Sequence, residues 1–361
     1  MSTVLVHHEK IDTSIAGAQA YRIRYRSGDL HGNATESTGI VVAPAAPGEN
    51  RKVMTWAHGT TGMGDAACPS AQPDPARELT LYFESGSVTS IDYGVPGQQK
   101  FIDEGWVVVA TDYQGQGTPG IHQYTVNRTN ALDAVNIVKA ARELPVGAGT
   151  KFGLVGWSQG GGALAAAELD AADYGDLEIV GAVGMSPGVP SIALKLPGIG
   201  SALAGSGTPT PPDGHLFMIL GAMPAAFPDR LSLEDVFTPL GIKMFEENWN
   251  TAPVHHFSDI LTRNFHLSGA MIQVNKEKLP TWLAAFEEAS AAQKKPVCPI
   301  LVLIDGQDPN GPCPLPWQLG YIDAITALGG DITSSTYPND DHFSLPQASI
   351  DEARTWLDSK F

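Results

Sequence analysis

Along the chain, short runs of β-branched, aromatic and aliphatic residues recur between longer stretches with helical spacing. The segment YRIRYRS from Tyr21 alternates apolar and basic positions, the pattern of a strand with one face on a core and the other in water. TGIVVAP from Thr38 follows after a Gly/Asn turn, so these two strands are expected to be antiparallel. Five later runs are apolar almost throughout, as parallel strands covered on both faces are. They are KVMTWAHG from Lys52, GWVVVATD from Gly105, KFGLVGWS from Lys151, EIVGAVGMS from Glu178 and CPILVLID from Cys298. DITSSTY from Asp331 predicts a last strand and QASIDEARTWLDSKF from Gln347 a last helix.

Between the strands, NALDAVNIVKAARELP places Ala131, Val135, Ile137, Val138 and Ala141 mainly on one helical face, and GGALAAAELDAAD from Gly161 is rich in alanine. This alternation predicts an α/β class, a mostly parallel central sheet flanked by helices. The rhythm stops from about Val189 to Pro296, where a Gly/Pro-rich stretch leads into helical patterns such as LPTWLAAFEEA. A mainly helical cap inserted after the sixth predicted strand is expected there, dividing the chain into core 1–188, cap 189–296 and core 297–361. The apolar run Leu216, Phe217, Met218, Ile219 and Leu220 either lines an acyl-binding pocket or forms the cap's own core.

Composition narrows the partners. Hydrophobic residues make up 43% and charged residues 17%, enough apolar material for a core. A formal charge of −17 would repel phosphate backbones, and no Lys/Arg cluster offsets it, so nucleic acid is not an expected partner. The start, MSTVLVHHEKIDTS, has no basic region leading into a long apolar run, and no apolar stretch elsewhere is long enough to span a bilayer. The expectation is a chain without stable membrane insertion, cytoplasmic as written and secreted if the sequence is a trimmed mature form. Cys68, Cys298 and Cys313 have no metal-ligand spacing and read as ordinary thiols with at most one disulfide.

The chemistry enters at Gly156-Trp157-Ser158-Gln159-Gly160, which follows a predicted strand and opens into a Gly-Gly-Gly, Ala-rich segment. A serine on such a turn needs small residues two places before and after it, and its hydroxyl is left exposed; this is the nucleophile elbow of an α/β-hydrolase fold. Glycine is abundant enough, at 39 residues, that G-x-S-x-G alone says little, and a second copy follows another strand at Gly184-Met185-Ser186-Pro187-Gly188. The residue after the nucleophile donates its backbone N–H to the oxyanion, and proline has none, so Ser186 is read as a decoy.

The remaining machinery follows the chain order Ser, acid, His. Asp308, just past the strand CPILVLID, is the preferred acid, with Asp305 at the strand end as its rival. Of the ten histidines only His342, in YPNDDHFSLP, lies downstream of both partners. The oxyanion donors are expected to be the Gln159 N–H and a second from Trp56-Ala57-His58-Gly59-Thr60-Thr61-Gly62, with Thr60 preferred and Asp112 the alternative. His58 precedes the serine and is expected to pack beneath that loop.

Two other patterns compete. Gly115-Gln116-Gly117-Thr118-Pro119-Gly120 matches a dinucleotide fingerprint, but Pro119 and polar residues separate it from the next helix. His255 and His256 are adjacent, so on a helix they point about 100° apart, and no pattern around them completes a metal site. No cofactor and no metal are expected.

The HGTTG segment at His58, the ACPS at Cys68, Ala110-Thr111-Asp112-Tyr113-Gln114-Gly115, the GWSQGGGA elbow and the YPNDDH loop occur in this order, and the chain thereby resembles the secretory lipase family, the lipase A-like branch of the α/β hydrolases. The resemblance covers most of the chain from about Lys52 and implies an esterase or lipase with a helical cap after the sixth strand. It carries the triad onto Ser158, Asp308 and His342 and keeps Asp112 as a contributor to the oxyanion site. The sequence departs from the family in lacking a visible export signal and in the longer PNGPCPLP stretch after the acid. The expected activity is hydrolysis of a small-molecule carboxylic ester with an apolar acyl group through an acyl-enzyme. Lactonase or acyltransferase action on the same triad is the alternative, and a non-catalytic binding protein of the same fold a remote one.

Overall fold

In the second strand Tyr21, Ile23 and Tyr25 turn inward while Arg24 and Arg26 face water, as the alternating pattern requires. The computed structural model describes residues 3–195, 210–307 and 311–361. Among the described residues nine strands form one sheet: β1 Leu5–Ile11, β2 Ala18–Gly28, β3 Ala34–Pro44, β4 Arg51–Ala57, β5 Val107–Thr111, β6 Ala148–Trp157, β7 Glu178–Met185, β8 Ile300–Asp305 and β9 Ile332–Tyr337. Their order is β1-β2-β3-β5-β4-β6-β7-β8-β9. β1, β2 and β3 pair antiparallel, β3 meets β5 antiparallel, and every pairing from β5 through β4 to β9 is parallel.

β1 was not expected. Its LVHHEKI sequence is largely exposed and shows no apolar alternation, because it is an edge strand held by backbone bonds to β2 rather than by buried side chains. One consequence is a shift in count: the helices that follow the sixth strand read from the sequence come after the seventh strand of the sheet, β7.

Helices cover both faces. The first two, α1 (Gln98–Asp103) and α2 (Asn127–Ala141), take opposite sides: α2 packs with Val41, Val109, Phe152 and Leu154, whereas Phe101 of α1 belongs to the other layer with Trp56, Val155 and Leu357. The segment Ser158–Glu168, expected as an ordinary helix, is a 3-10 helix whose eleven residues are all buried. Its glycines and alanines make a narrow element that runs close to its neighbours: a Cβ on Gly161 would come 2.4 Å from Pro187 Cα and one on Gly162 2.0 Å from Asn127 Nδ2.

Between β7 and β8 lie α3 (Gly214–Ala226), α4 (Pro239–Asn248), α5 (Val254–Ser268) and α6 (Leu279–Ala289), with an apolar cluster of their own around Phe217, Phe237, Phe245, Phe257 and Trp282. Met63, Tyr124 and Val126 from the sheet side join that cluster. The chain then returns through β8 to α7 (Leu315–Ala327), β9 and α8 (Leu345–Asp358). Asp213 caps α3, its carboxylate accepting from the His215 and Leu216 amides. The Leu216–Leu220 run serves both readings: Phe217, Met218, Ile219 and Leu220 are buried in this helical cluster, and Leu216 and Ile219 wall a cavity beside Ser158.

Candidate active site

All parallel strands end at one edge of the sheet, and loops leaving that edge bring distant residues together. β6 ends at Trp157, and the chain turns at Ser158 into the 3-10 helix. Ser158 has φ 56°, a left-handed conformation that a non-glycine residue holds at a cost of order 1–3 kcal/mol. The turn is possible only because its flanks lack side chains. A Cβ on Gly156 would lie 2.0 Å from the Gly160 carbonyl oxygen, and one on Gly160 1.9 Å from that of Ala57. Gln159 begins the helix, so its N–H has no partner from the preceding turn and is available to an anion.

The Gln159 side chain is fixed from behind. His122 Nδ1 donates to the Gln114 carbonyl (2.8 Å), which leaves Nε2 to accept from the Gln159 amide nitrogen (2.6 Å). Burial pushes the His122 imidazole down to about 3, so it stays neutral in this role.

Thr60 sits in the loop after β4. Its hydroxyl bonds to the Tyr124 hydroxyl (2.7 Å), and Gly59 lies so close to Trp157 that a Cβ would be 2.6 Å from the indole. Gln116 braces the same loop through the Gly62 carbonyl (2.7 Å), and the Val254 amide of α5 donates to the Thr61 carbonyl (2.9 Å). His58 packs under the loop, buried against Tyr113, with Nδ1 on the Gly59 carbonyl. Burial holds the His58 imidazole below its ordinary value. Asp112 is differently engaged. Its N–H donates to the Thr38 carbonyl (2.8 Å) and its carboxylate accepts from the Ser70 amide (2.8 Å), so the Asp112 amide has no proton left for an oxyanion.

His342 is 2% exposed in the loop after β9. Trp157, the residue before the serine, donates its indole N–H to the His342 carbonyl (2.9 Å), and the two rings lie 5.5 Å apart. Asp305, 1% exposed, is the last residue of β8 and holds its Oδ2 3.7 Å from His342 Nδ1. The loops carrying them are laced together by the Gly306 and Gln307 amides, both donating to the Asp340 carbonyl. Asp308 lies outside the described residues. Ser158 and His342 make no hydrogen bond to one another among the described residues, a looseness common before substrate is bound.

Three arrangements were not anticipated from the sequence. Ser186 donates to Asp305 Oδ2 (2.5 Å), Trp157 tethers the histidine loop, and His122 holds Gln159. A signal existed for the first: β7 and β8 are parallel neighbours, so a polar residue ending one strand meets a polar residue ending the next. The competing motifs have these surroundings. Gly115, Gly117 and Gly120 all have positive φ in a loop that opens no helix. His255 stacks on Tyr82 at 3.9 Å while His256 is exposed, and no group of three potential metal ligands occurs among the described residues. The three cysteines are buried.

A cavity of about 690 Å³ opens beside Ser158 and Gln159, walled by Tyr124, Ala193, Leu216, Ile219 and Trp317. The sheet order, the strained serine between strand and helix, and a buried histidine returning from the last strand define an α/β hydrolase. The sequence model of the secretory lipase family matches residues 89–197, which contain the elbow, in agreement with the resemblance carried by the motifs. Solved structures share the fold over nearly the whole chain. The rice cell wall degrading esterase LipA from Xanthomonas oryzae is similar at 17% identity, covering 99% of each chain, with a TM-score of 0.71. Candida antarctica lipase A in its closed state is similar at 17% identity, over 99% of this chain and 82% of the other, with a TM-score of 0.70. A putative hydrolase from Legionella pneumophila is similar at 16% identity over 99% and 98%, with a TM-score of 0.65. A comparison with curated proteins finds no match. The chain is a carboxylic ester hydrolase of the lipase and esterase type.

Proposed function

We propose that this protein cleaves small carboxylic esters through an acyl-enzyme on Ser158, with His342 as general base and then general acid. Ser158 Oγ attacks the ester carbonyl while His342 Nε2 takes its proton; the same proton passes to the departing alcohol, and water repeats the cycle to release the acid. The Gln159 and Thr60 amides receive the oxyanion, and Asp308 is the proposed triad acid. What carries this reading is the left-handed Ser158 beside a largely apolar-walled cavity. The helices between β7 and β8 act as a cap over the acyl chain, since Leu216 and Ile219 of α3 face the cavity. The match to a family described as secretory favours the exported alternative over a cytoplasmic one. No described helix is long and apolar enough to cross a membrane.

The test is a chain-length series of chromogenic acyl esters, extended to lactones, on the wild type and Ser158→Ala. Hydrolysis by the wild type and its loss in Ser158→Ala supports the proposal, and the best chain length sizes the cavity. A wild type that opens lactones and spares every linear ester would replace esterase by lactonase on the same serine.

A further inference from the structure

Ser186 and Asp305 form a buried polar pair that the proposed mechanism does not use. Ser186 is fully buried at φ 44°, a left-handed serine directly before a proline. Proline disfavours helical conformations in the residue before it, so the backbone is held in an uncommon state at a position with no nucleophilic role. That conformation aims the hydroxyl at Asp305 Oδ2, 2.5 Å away. The same oxygen faces His342 Nδ1 at 3.7 Å, and neither His342 Nδ1 nor Asp305 Oδ1 has a hydrogen-bond partner among the described residues. A buried carboxylate and a buried imidazole nitrogen thus face each other at 3.7 Å, each with an unpartnered polar atom among the described residues.

We propose that Asp305, held by Ser186, is a positioning carboxylate for His342: it keeps the Nδ1–H tautomer and stabilises the imidazolium that forms when Nε2 takes the serine proton. Other groups face the histidine less directly. Asp340 and Asp341 share its loop, where the Asp341 carboxylate is engaged by the Phe343 and Ser344 amides and Asp340 by the Ser344 hydroxyl. From β6 the nearest group is the uncharged Trp157, and from the inserted helices His255 lies beyond Phe343. Asp305 is therefore the charge aimed at Nδ1 among the described residues.

The inference rests on His342 as the base, and its test includes a readout independent of turnover. The imidazole of His342, assigned by its disappearance in His342→Gln, is titrated by NMR in the wild type, Asp305→Asn and Asp308→Asn, alongside kcat and KM on the best ester. Asp305→Asn is expected to move the His342 titration to lower pH, the effect of removing an opposite charge within a few ångströms. The acid limb of kcat/KM should move with it, and kcat should fall at least tenfold with little change in KM. Ser186→Ala should lower kcat by a smaller factor, again sparing KM, and decides the matter if Asp305→Asn does not fold. An unchanged His342 titration in a folded Asp305→Asn, with full loss of activity in Asp308→Asn alone, overturns the proposal. If no variant or wild type turns over an ester, the esterase reading fails while the titration still judges the Asp305–His342 pair.

Discussion

The molecule contains the same five-residue pattern twice, and the two copies sit side by side. Gly156–Gly160 ends β6 and Gly184–Gly188 ends its parallel neighbour β7, and both central serines are left-handed, at 56° and 44°. They differ in the next residue and in where the hydroxyl goes. After Ser158 comes Gln159, whose N–H opens the 3-10 helix at the edge of a cavity. After Ser186 comes Pro187, which has no N–H, and the hydroxyl is spent on Asp305. A strained turn at a strand end thus presents a hydroxyl in either case. The donor behind it and the acceptor in front of it decide between reacting with a substrate and holding a partner.

The sharpest way to break the comparison is to remove each hydroxyl. Ser158→Ala should reduce kcat by on the order of 10⁶-fold, whereas Ser186→Ala should reduce it by less than about tenfold, measured on one ester under one set of conditions. If the two losses are equal, the copies are not functionally distinct. A subtler exchange makes the first turn resemble the second. Proline suits the first position of a helix, and the Ser186-Pro187 pair shows that a left-handed serine tolerates a following proline. Gln159→Pro should therefore keep the fold but cost about 10²–10³-fold in kcat through the lost oxyanion donor; unchanged kcat would remove Gln159 from the oxyanion site. The reverse change, Pro187→Gln, combined with Ser158→Ala, should restore nothing, because the Ser186 hydroxyl remains committed to Asp305.

A smaller effect concerns what stands behind Gln159. His122 is neutral in the fold with its pKa lowered to about 3, while the unfolded chain takes up its proton near the ordinary 6.5. Between those values the unfolded state binds more protons, so stability contributed at this site is full above pH 6.5 and falls as pH drops toward 3. The slope from one such group is at most about 1.4 kcal/mol per pH unit. Denaturant melts at pH 7 and 4.5 should show a smaller acid loss in His122→Gln than in the wild type. Equal losses would place the acid sensitivity elsewhere. Smallest of all, Trp157→Phe, which removes the bond to the His342 carbonyl and part of the buried ring beside Gly59, should lower kcat by about tenfold or less, with roughly 1 kcal/mol of that from the hydrogen bond.

Much of this architecture was legible in the chain itself. Seven of the nine strands announce themselves by alternation or by continuous apolar runs, because each must bury one or both faces in a fixed period, and β9 by its β-branched and aromatic residues. β1 gave no such sign, since an edge strand exposes LVHHEKI and is held by backbone bonds that any sequence can make. Ser158 was legible because the clash at Gly156 and Gly160 leaves glycine as the residue that fits there. His342 was legible because chain order leaves one histidine after the later strands.

Side-chain direction is another matter, for it depends on residues far apart in the sequence. The succession of strands along the chain and the elbow are local consequences of periodicity and of glycine's missing Cβ, and the sequence by itself determined them. The tertiary structure alone decided that the Asp112 amide answers Thr38, that Ser186 reaches Asp305 across 119 positions, and that Trp157 ties down the carbonyl of His342. These partners meet because parallel strands end at one edge of the sheet, and no period along the chain records which of their side chains will face each other there.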